Sequence, residues 1–146
     1  MYLSKELQID LASCLILGVI FFVIDVYTFQ GYKKSVYPIL LIHHIINVFA
    51  QFGYLARDRK VLFFYIFTPF LVMLHWMTNG NKCALTEMVN KECGIDIRFR
   101  DLWFLLGVKN LPYYSEIHYA YLVVAWLIAV IRFFRLDFRK IKEKIF

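Results

Sequence analysis

The sequence predicts an all-α integral membrane protein, a four-helix bundle with a long structured outer loop between its third and fourth spans. Apolar residues make up 61% of the chain, whereas a typical soluble domain contains about 45–50%. Four apolar stretches are each long enough to cross a hydrocarbon core of ~30 Å, which requires roughly 20 helical residues. The length of 146 residues indicates a single domain, residues 1–146.

The four predicted spans are separated by two short connections and one long one. They are Leu11–Phe29, Val36–Ala56, Val61–Thr78 and Ile117–Phe134. The first apolar run exceeds the roughly 7–15 residues of a signal-peptide core, so we interpret it as a retained span. The connection RDRK is so short that the second and third spans are predicted to form an antiparallel hairpin. Residues 135–146 are predicted to continue the fourth span as a basic amphipathic tail.

The distribution of Lys and Arg predicts that both termini lie on the cytoplasmic (inner) side of the membrane. With the amino terminus inside, ten of these residues flank the inner ends of the spans and seven lie outside. The net charge of +6 therefore fits topology and contact with anionic lipid headgroups, which we expect at the basic carboxy-terminal tail. No nucleic-acid-binding motif accompanies the charge, so nucleic acid is not an expected partner.

The long connection between the third and fourth spans is predicted to hold structure of its own. Ala84–Glu92 has the pattern of a short helix, with Gly94 as its stop. Beyond Gly94, apolar residues recur at helical spacing and predict a second helix lying along the outer interface. These residues are Ile95, Phe99, Leu102, Trp103 and Leu106. The sequence Lys-Asn-Leu-Pro at 109–112 predicts a break before the fourth span.

The Asp and His residues inside the predicted spans fall in the outer half of the membrane, and ionisable residues within a span indicate a functional site by default. At 1.5 Å per residue, the adjacent His43 and His44 lie about 11 Å from the outer end of their span. By the same measure Asp25 lies about 7 Å in, His75 about 5 Å and His118 about 2 Å. The predicted intramembrane cluster is therefore Asp25, His43, His44, Asn47, His75 and His118.

Helical spacing gives each span a polar or small-residue face, and the faces of the first two spans are the longest. In the second span this face carries His44, Asn47, Gln51 and Tyr54. Lipid cannot satisfy such groups, so the face is predicted to look into the bundle. The first span carries a matching stripe of Asp10, Cys14, Gly18, Asp25 and Thr28, whose small residues permit close helix contact. In the third span, Pro69 is predicted to produce a kink.

The cluster leaves three interpretations open. The first is a structural network, in which Asp25 fixes a histidine tautomer and Asn47 bonds across helices. The second is a proton or ion site. The third is a metal or haem site with neutral imidazole ligands, for which His43, His44 and His75 are the candidates. No cofactor is otherwise expected, and no His-x-x-x-His signature is present.

Cys83 and Cys93 are predicted to face an outer compartment, where a disulfide between them is possible. Ten residues of continuous helix would, however, place the two residues about 15 Å apart. A disulfide needs Cα atoms within ~7 Å of each other. The predicted helix and the bridge therefore exclude one another unless the helix is shorter. Cys14 is interpreted as inert packing in the first span.

Residues 75–94 carry a local resemblance. His75 and Trp76 are followed by the sequence Cys-Ala-Leu-Thr at 83–86 and by a nearby acidic residue. This segment resembles an uncharacterised family of small bacterial multi-helix membrane proteins, in which a His-bearing helix precedes a Cys-Pro-Leu-Thr motif and then a Glu. Ala84 stands where that family has Pro, and the spacing here is shorter. The resemblance implies a small-bundle fold and implies no activity.

The sequence favours a non-enzymatic structural or accessory subunit of a membrane assembly, with partner membrane subunits and the lipid bilayer as its surroundings. It contains no Walker loop, no dinucleotide fingerprint and no Gly-x-Ser-x-Gly elbow, so no catalytic residues are assigned. The alternative is a small ion or proton carrier, channel or sensor that uses the Asp/His cluster. A second alternative is a haem- or metal-binding redox subunit.

Overall fold

The computed structural model describes residues 3–80, 82–97, 100, 102–105, 107–108 and 114–145, and at 102, 114, 115 and 137–145 it describes the backbone alone. The described residues form helices and their connections, without a strand. The α-helices are α1 (Lys5–Thr28), α2 (Tyr37–Phe52), α3 (Arg59–Thr78), α4 (Ala84–Cys93), α5 (Leu102–Leu105) and α6 (Tyr114–Ile145). Two 3-10 turns, Lys34–Val36 and Gly53–Leu55, flank α2.

Among the described residues, four helical segments are long and apolar enough to cross a membrane, which matches the predicted number. They are Lys5–Thr28, Lys34–Leu55, Arg59–Thr78 and Glu116–Leu136. The first begins well before the apolar run because Ser4 caps it, with Oγ accepting from the backbone N–H of Leu7 at 3.1 Å. The second is not one α-helix, since a 3-10 turn begins and ends it.

Helix α1 packs antiparallel against α2 through its stripe of small and polar residues. Gly18 is the point of closest approach, because a Cβ atom there would lie 2.6 Å from Ile45 Cγ1 and 3.0 Å from Ile45 Cα. One turn away, the Cys14 thiol lies 3.7 Å from the Ile45 carbonyl oxygen. Asp10 accepts the backbone N–H groups of Arg57 and Asp58, both at 2.8 Å. The middle of the stripe thus contacts α2, and its first residue, Asp10, contacts the connection between α2 and α3.

Helices α3 and α6 also pack antiparallel, with aromatic side chains between them. The Phe70 and Trp126 rings meet edge to face at 5.4 Å between centroids, and Trp126 Nε1 donates to the Ile66 carbonyl at 3.1 Å. Nearer the other end, the Arg59 guanidinium lies 4.5 Å from the centre of the Phe133 ring. Small residues of α6 allow this approach, since Ala125 and Ala129 are buried against Leu62 and Tyr65.

Helix α4 closes one end of the α1–α2 pair. Val89 of α4 packs with Val36 and Leu40 in a second buried cluster, separate from the one between α3 and α6. Helix α4 has the predicted start and stop: it ends at Cys93, and Gly94 adopts the left-handed conformation with φ +67°. The structure therefore confirms this short helix, which positions the polar residues described below.

The second predicted helix of this connection is corrected by the structure. Residues 95–97 and 100 are not helical, and the described helix is α5, Leu102–Leu105. The physical reason is that polar contacts hold the chain away from a helix here: Asn90 Nδ2 donates to the Ile97 carbonyl at 2.9 Å, and the Arg100 side chain turns toward α1. Phe99, Leu106 and the predicted break at 109–112 lie outside the described residues.

Helix α6 is longer than the predicted span because the basic tail continues it. At 32 residues it extends about 48 Å at 1.5 Å per residue, more than a hydrocarbon core of ~30 Å requires. Pro69 lies inside the helical range of α3, which runs unbroken from Arg59 to Thr78.

Candidate functional site

The adjacent histidines of α2 have different partners, because side chains one residue apart on a helix point about 100° apart. Both are buried, with His43 exposing 7% and His44 exposing 1% of its surface. His44 faces α1 and contacts Asp25, whereas His43 faces α4 and contacts Cys83. The single predicted cluster is therefore divided into separate contacts.

Asp25 is the centre of the most buried contact, and its side chain is fully buried. Its Oδ2 lies 3.1 Å from His44 Nε2 and accepts from the Tyr32 hydroxyl at 3.2 Å. Its Oδ1 lies 3.2 Å from Arg100 Nε, an ion pair without the alignment of a hydrogen bond. We call these four residues, Asp25, Tyr32, His44 and Arg100, the Asp25 network. It joins α1, α2 and the two connections that follow α1 and α4.

The Arg100 side chain is held by a hydrogen bond and by two aromatic rings in addition to its ion pair. Its Nη2 donates to Thr28 Oγ1 at 3.0 Å, and the guanidinium lies 5.3 Å from the centre of the Phe29 ring and 4.8 Å from that of Phe104. Stacking on two rings shields the ion pair from water and leaves 14% of the side chain exposed. Arg100 and Asp25 therefore neutralise each other in a nonpolar setting, where an unpaired charge would be costly.

Tyr32 lies in the connection between α1 and α2, and its hydroxyl completes the shell of the carboxylate. Burial is the main cause that raises the pKa of Tyr32, and the neighbouring Asp25 carboxylate raises it further through charge and hydrogen bonding. The Tyr32 hydroxyl therefore keeps its proton at neutral pH and donates it in a hydrogen bond to Asp25. Its ionised form would place two negative charges together.

The second contact joins α2 to the start of α4. His43 Nε2 lies 3.5 Å from the Cys83 thiol. Beside it is a cavity of about 10 Å³, the space that one water molecule requires. It is lined by Tyr32, Leu40, His43 and Ile97 and by three residues of α4, namely Thr86, Val89 and Asn90.

His75, at the end of α3, is placed against α4 rather than against the other histidines. Its Nε2 accepts the backbone N–H of Ala84 at 3.1 Å, so the imidazole satisfies one of the free donors at the start of α4. In this role the Nε2 atom is unprotonated and the proton of a neutral ring is on Nδ1. His75 therefore fixes the entry of α4 after the turn at Asn79 and Gly80.

A further polar contact surrounds Gln51, near the end of α2. Its side-chain Nε2 and Oε1 lie 2.8 Å from His118 Nε2 and 3.1 Å from the Trp103 indole nitrogen, which donates to it. The Tyr121 hydroxyl donates to the Gln51 backbone carbonyl. These contacts join α2, α5 and α6, so Trp103 packs into the helices instead of lying along an interface as predicted.

The sequence located most of these groups and missed several of their partners. Asp25 and His44 do meet as their stripes suggested. Asn47 is half-buried, but among the described residues its side chain makes no hydrogen bond, so the predicted cross-helix role is not observed. Arg100 and Tyr32 were not expected in the cluster. No spacing rule signals them, because each reaches Asp25 from a connection and not from a helix face.

Two expectations about the cysteines and histidines change with this geometry. Cys83 and Cys93 are free thiols at opposite ends of α4, and its continuous helix separates them by about 15 Å, so the disulfide does not form in this arrangement. Within the described residues, no group of three or more His, Cys, Asp or Glu side chains is arranged to hold a metal ion. His43, His44 and His75 instead contact Cys83, Asp25 and Ala84 respectively.

Comparison with protein-family models, with curated proteins and with solved structures found no match to this chain. The resemblance of residues 75–94 to the family with the Cys-Pro-Leu-Thr motif therefore stays a prediction.

Proposed function

We propose that this chain is a small polytopic integral membrane protein that acts as a non-enzymatic structural or accessory subunit of a membrane assembly. Its four long apolar helices would span the bilayer, with both termini on the cytoplasmic side and α4 on the outer side. The basic carboxy-terminal tail would then meet anionic lipid headgroups on the inner surface.

The observation that carries this proposal is the Asp25 network, in which a buried charge is paired inside the protein. A fully buried carboxylate contacts side chains from three other parts of the chain, and Arg100 lies 3.2 Å from its Oδ1 as the counter-charge. Buried polar contacts of this kind hold helices in one arrangement, because removing a partner leaves a charge in a nonpolar medium. The network supports a role as a fixed joint between helices and their connections.

The surface of α1 supports the accessory role. Gly18 and Asp25 are its buried residues, so most of the apolar surface of this helix faces outward. Within a membrane such a surface contacts lipid or the helices of neighbouring subunits. The proposed partners are accordingly lipid chains and partner membrane subunits.

A proton- or ion-handling role is the second candidate, and one observation favours it. Two consecutive residues of α2, His43 and His44, bring titratable side chains to α4 and α1 at the same depth, and protonatable groups inside a membrane commonly mark transport paths. The ion pair between Asp25 and Arg100 opposes this role, because an aspartate that transfers protons must be able to separate from its counter-charge.

Exchange of Asp25 for asparagine separates the two candidates. Purified protein is reconstituted in liposomes, proton flux is followed with an enclosed pH-sensitive dye, and thermal stability is measured on the same samples. If the network is structural, wild type gives the flux of protein-free liposomes and Asp25→Asn lowers the unfolding temperature. Asp10→Asn is the matched control, since Asp10 lies on the same helix and accepts backbone N–H groups outside the network.

The opposite result would reject the structural proposal. Wild-type liposomes would conduct protons, and Asp25→Asn would abolish that conductance while leaving the unfolding temperature unchanged.

A further inference from the structure

The groups that surround the Arg100 guanidinium resemble a binding site for a planar organic cation. Its Nε lies 3.2 Å from Asp25 Oδ1, and its Nη2 donates to Thr28 Oγ1 at 3.0 Å. The rings of Phe29 and Phe104 lie 5.3 and 4.8 Å from the guanidinium carbon. A carboxylate, a hydroxyl acceptor and aromatic faces are the groups that proteins use to bind a guanidinium.

The two oxygens of the fully buried Asp25 carboxylate differ in how they are satisfied. Oδ2 accepts from the Tyr32 hydroxyl and contacts His44 Nε2. Oδ1 is also buried, yet within the described part of the chain it accepts no hydrogen bond, and neither does Arg100 Nε donate one. Buried carboxylate oxygens are normally hydrogen-bonded. Oδ1 is therefore an acceptor that a better aligned N–H group would satisfy.

Arg100 reaches this acceptor from a connection and not from the face of a packed helix. Residues 95–97 and 100 are not helical, so the position of the guanidinium depends on how the connection after α4 runs. A guanidinium group on a separate molecule lacks this constraint. It can turn an N–H group toward Oδ1 with the alignment that a hydrogen bond requires.

The site lies at the end of a helix, where a molecule from the aqueous phase can reach it. Helix α1 ends at Thr28, which is exposed, and the next residue, Phe29, is half-buried. The Arg100 side chain itself is 14% exposed. The cation-binding groups are therefore open to solvent on one side, while the carboxylate behind them is fully buried.

We propose that Asp25, Thr28 and Phe29 form a binding site for a small guanidinium compound, and that Arg100 is its internal competitor. The compound must be small, because the space available to it is that of one arginine head group. Its entry would replace one cation with another, so the buried carboxylate stays paired. The connection after α4 would lose its ion pair with α1. The site is part of the Asp25 network, so the proposal rests on the proposed function and adds a ligand to it.

Arg100→Ala empties the site and allows its ligand to be identified. The full-length variant is unfolded thermally in detergent micelles with increasing methylguanidinium. We expect its unfolding temperature to rise to a plateau, by about 2–4 °C. Wild type should need at least about tenfold more compound for the same rise, because Arg100 leaves the site free for a small fraction of the time.

Matched compounds and variants distinguish binding at Asp25 from a general effect of the cation. N-methylurea has a similar shape without the charge and should give no rise. Asp25→Asn in the Arg100→Ala background should abolish the response, and Phe29→Leu in that background should weaken binding about 2–5-fold. Arg57→Ala removes an exposed arginine elsewhere and should respond as wild type does.

The proposal is overturned by an Arg100→Ala protein that shows no saturable rise, or that responds equally to N-methylurea or after Asp25→Asn. If Arg100→Ala does not fold, it is prepared with and without methylguanidinium, and an unchanged yield of folded protein overturns the proposal as well. The structural role is judged from proton flux and from Asp25→Asn alone, with no compound added. A stabilising network that does not respond to methylguanidinium therefore rejects the ligand and leaves the structural role intact.

Discussion

At the scale of single residues, Arg100 is one of two side chains in the Asp25 network whose role the sequence does not predict. It lies in a stretch that alternates apolar and charged residues, where an arginine is expected to face water or lipid headgroups. In the structure it reaches 3.2 Å from a fully buried carboxylate and stacks on two aromatic rings. Its pairing depends on how the connection after α4 folds back, and periodicity carries no information about that.

Arg100→Ala tests how much this pair contributes. It should lower the free energy of unfolding by about 3–5 kcal/mol, because it leaves the Asp25 charge buried without compensation. Unfolding in mixed micelles with increasing dodecyl sulfate measures the difference. The control is Arg57→Ala at an exposed position, expected to change stability by no more than about 0.5 kcal/mol. Equal effects of the two substitutions would show that Arg100 contributes no more than a surface charge.

At the scale of elements, the small-residue stripe of α1 correctly predicted a helix contact, whereas the apolar pattern after Gly94 wrongly predicted a helix. The stripe predicted which face of α1 meets α2, and Gly18 and Cys14 do contact Ile45. The later pattern failed because polar contacts outweigh weak periodicity in a short segment. Asn90 holds Ile97, Arg100 is drawn to Asp25, and Trp103 donates to Gln51. Four residues of helix remain in α5.

Gly18→Ala examines the α1–α2 contact. The added methyl would lie 2.6 Å from Ile45 Cγ1 and 3.0 Å from its Cα, so the helices must separate or shift. Overpacking of this kind costs about 1–3 kcal/mol, measured by the same micellar unfolding. Ala12→Leu, on the exposed face of α1, adds a larger group with no neighbour to displace and should be neutral. A neutral Gly18→Ala would mean that the contact is looser than these distances indicate.

At the scale of the whole molecule, hydrophobic length was the most reliable signal. Four stretches of apolar sequence correspond to four helices able to cross a membrane, because length and composition alone determine that property. Boundaries were less predictable, since the cap at Ser4 and the charged continuation of α6 extend helices beyond their apolar parts. The candidate site was predicted in its residues but not in its grouping, which required knowing how the connections fold.

Orientation is the property of the whole molecule that remains a prediction from charge. Variants with a single cysteine at Ser4, Lys142 or Lys82, in a background without the native cysteines, can be labelled with a membrane-impermeant maleimide. In right-side-out vesicles we expect labelling at Lys82→Cys and protection at Ser4→Cys and Lys142→Cys. Inverted vesicles should give the reverse pattern. Labelling of Ser4→Cys and Lys142→Cys from opposite sides would refute an even number of spans.

Helix α1 has 24 residues, of which Gly18 and Asp25 are buried, while Asp10 and Cys14 make polar contacts from half-buried positions. Most of its remaining positions require only that a residue be apolar, a condition that many side chains meet equally well. Most positions of this helix are therefore weakly constrained by selection. Their residues can change quickly while the helix keeps its shape and position. Descendants of one ancestral gene could lose recognisable similarity along α1 and still share the same few fixed positions.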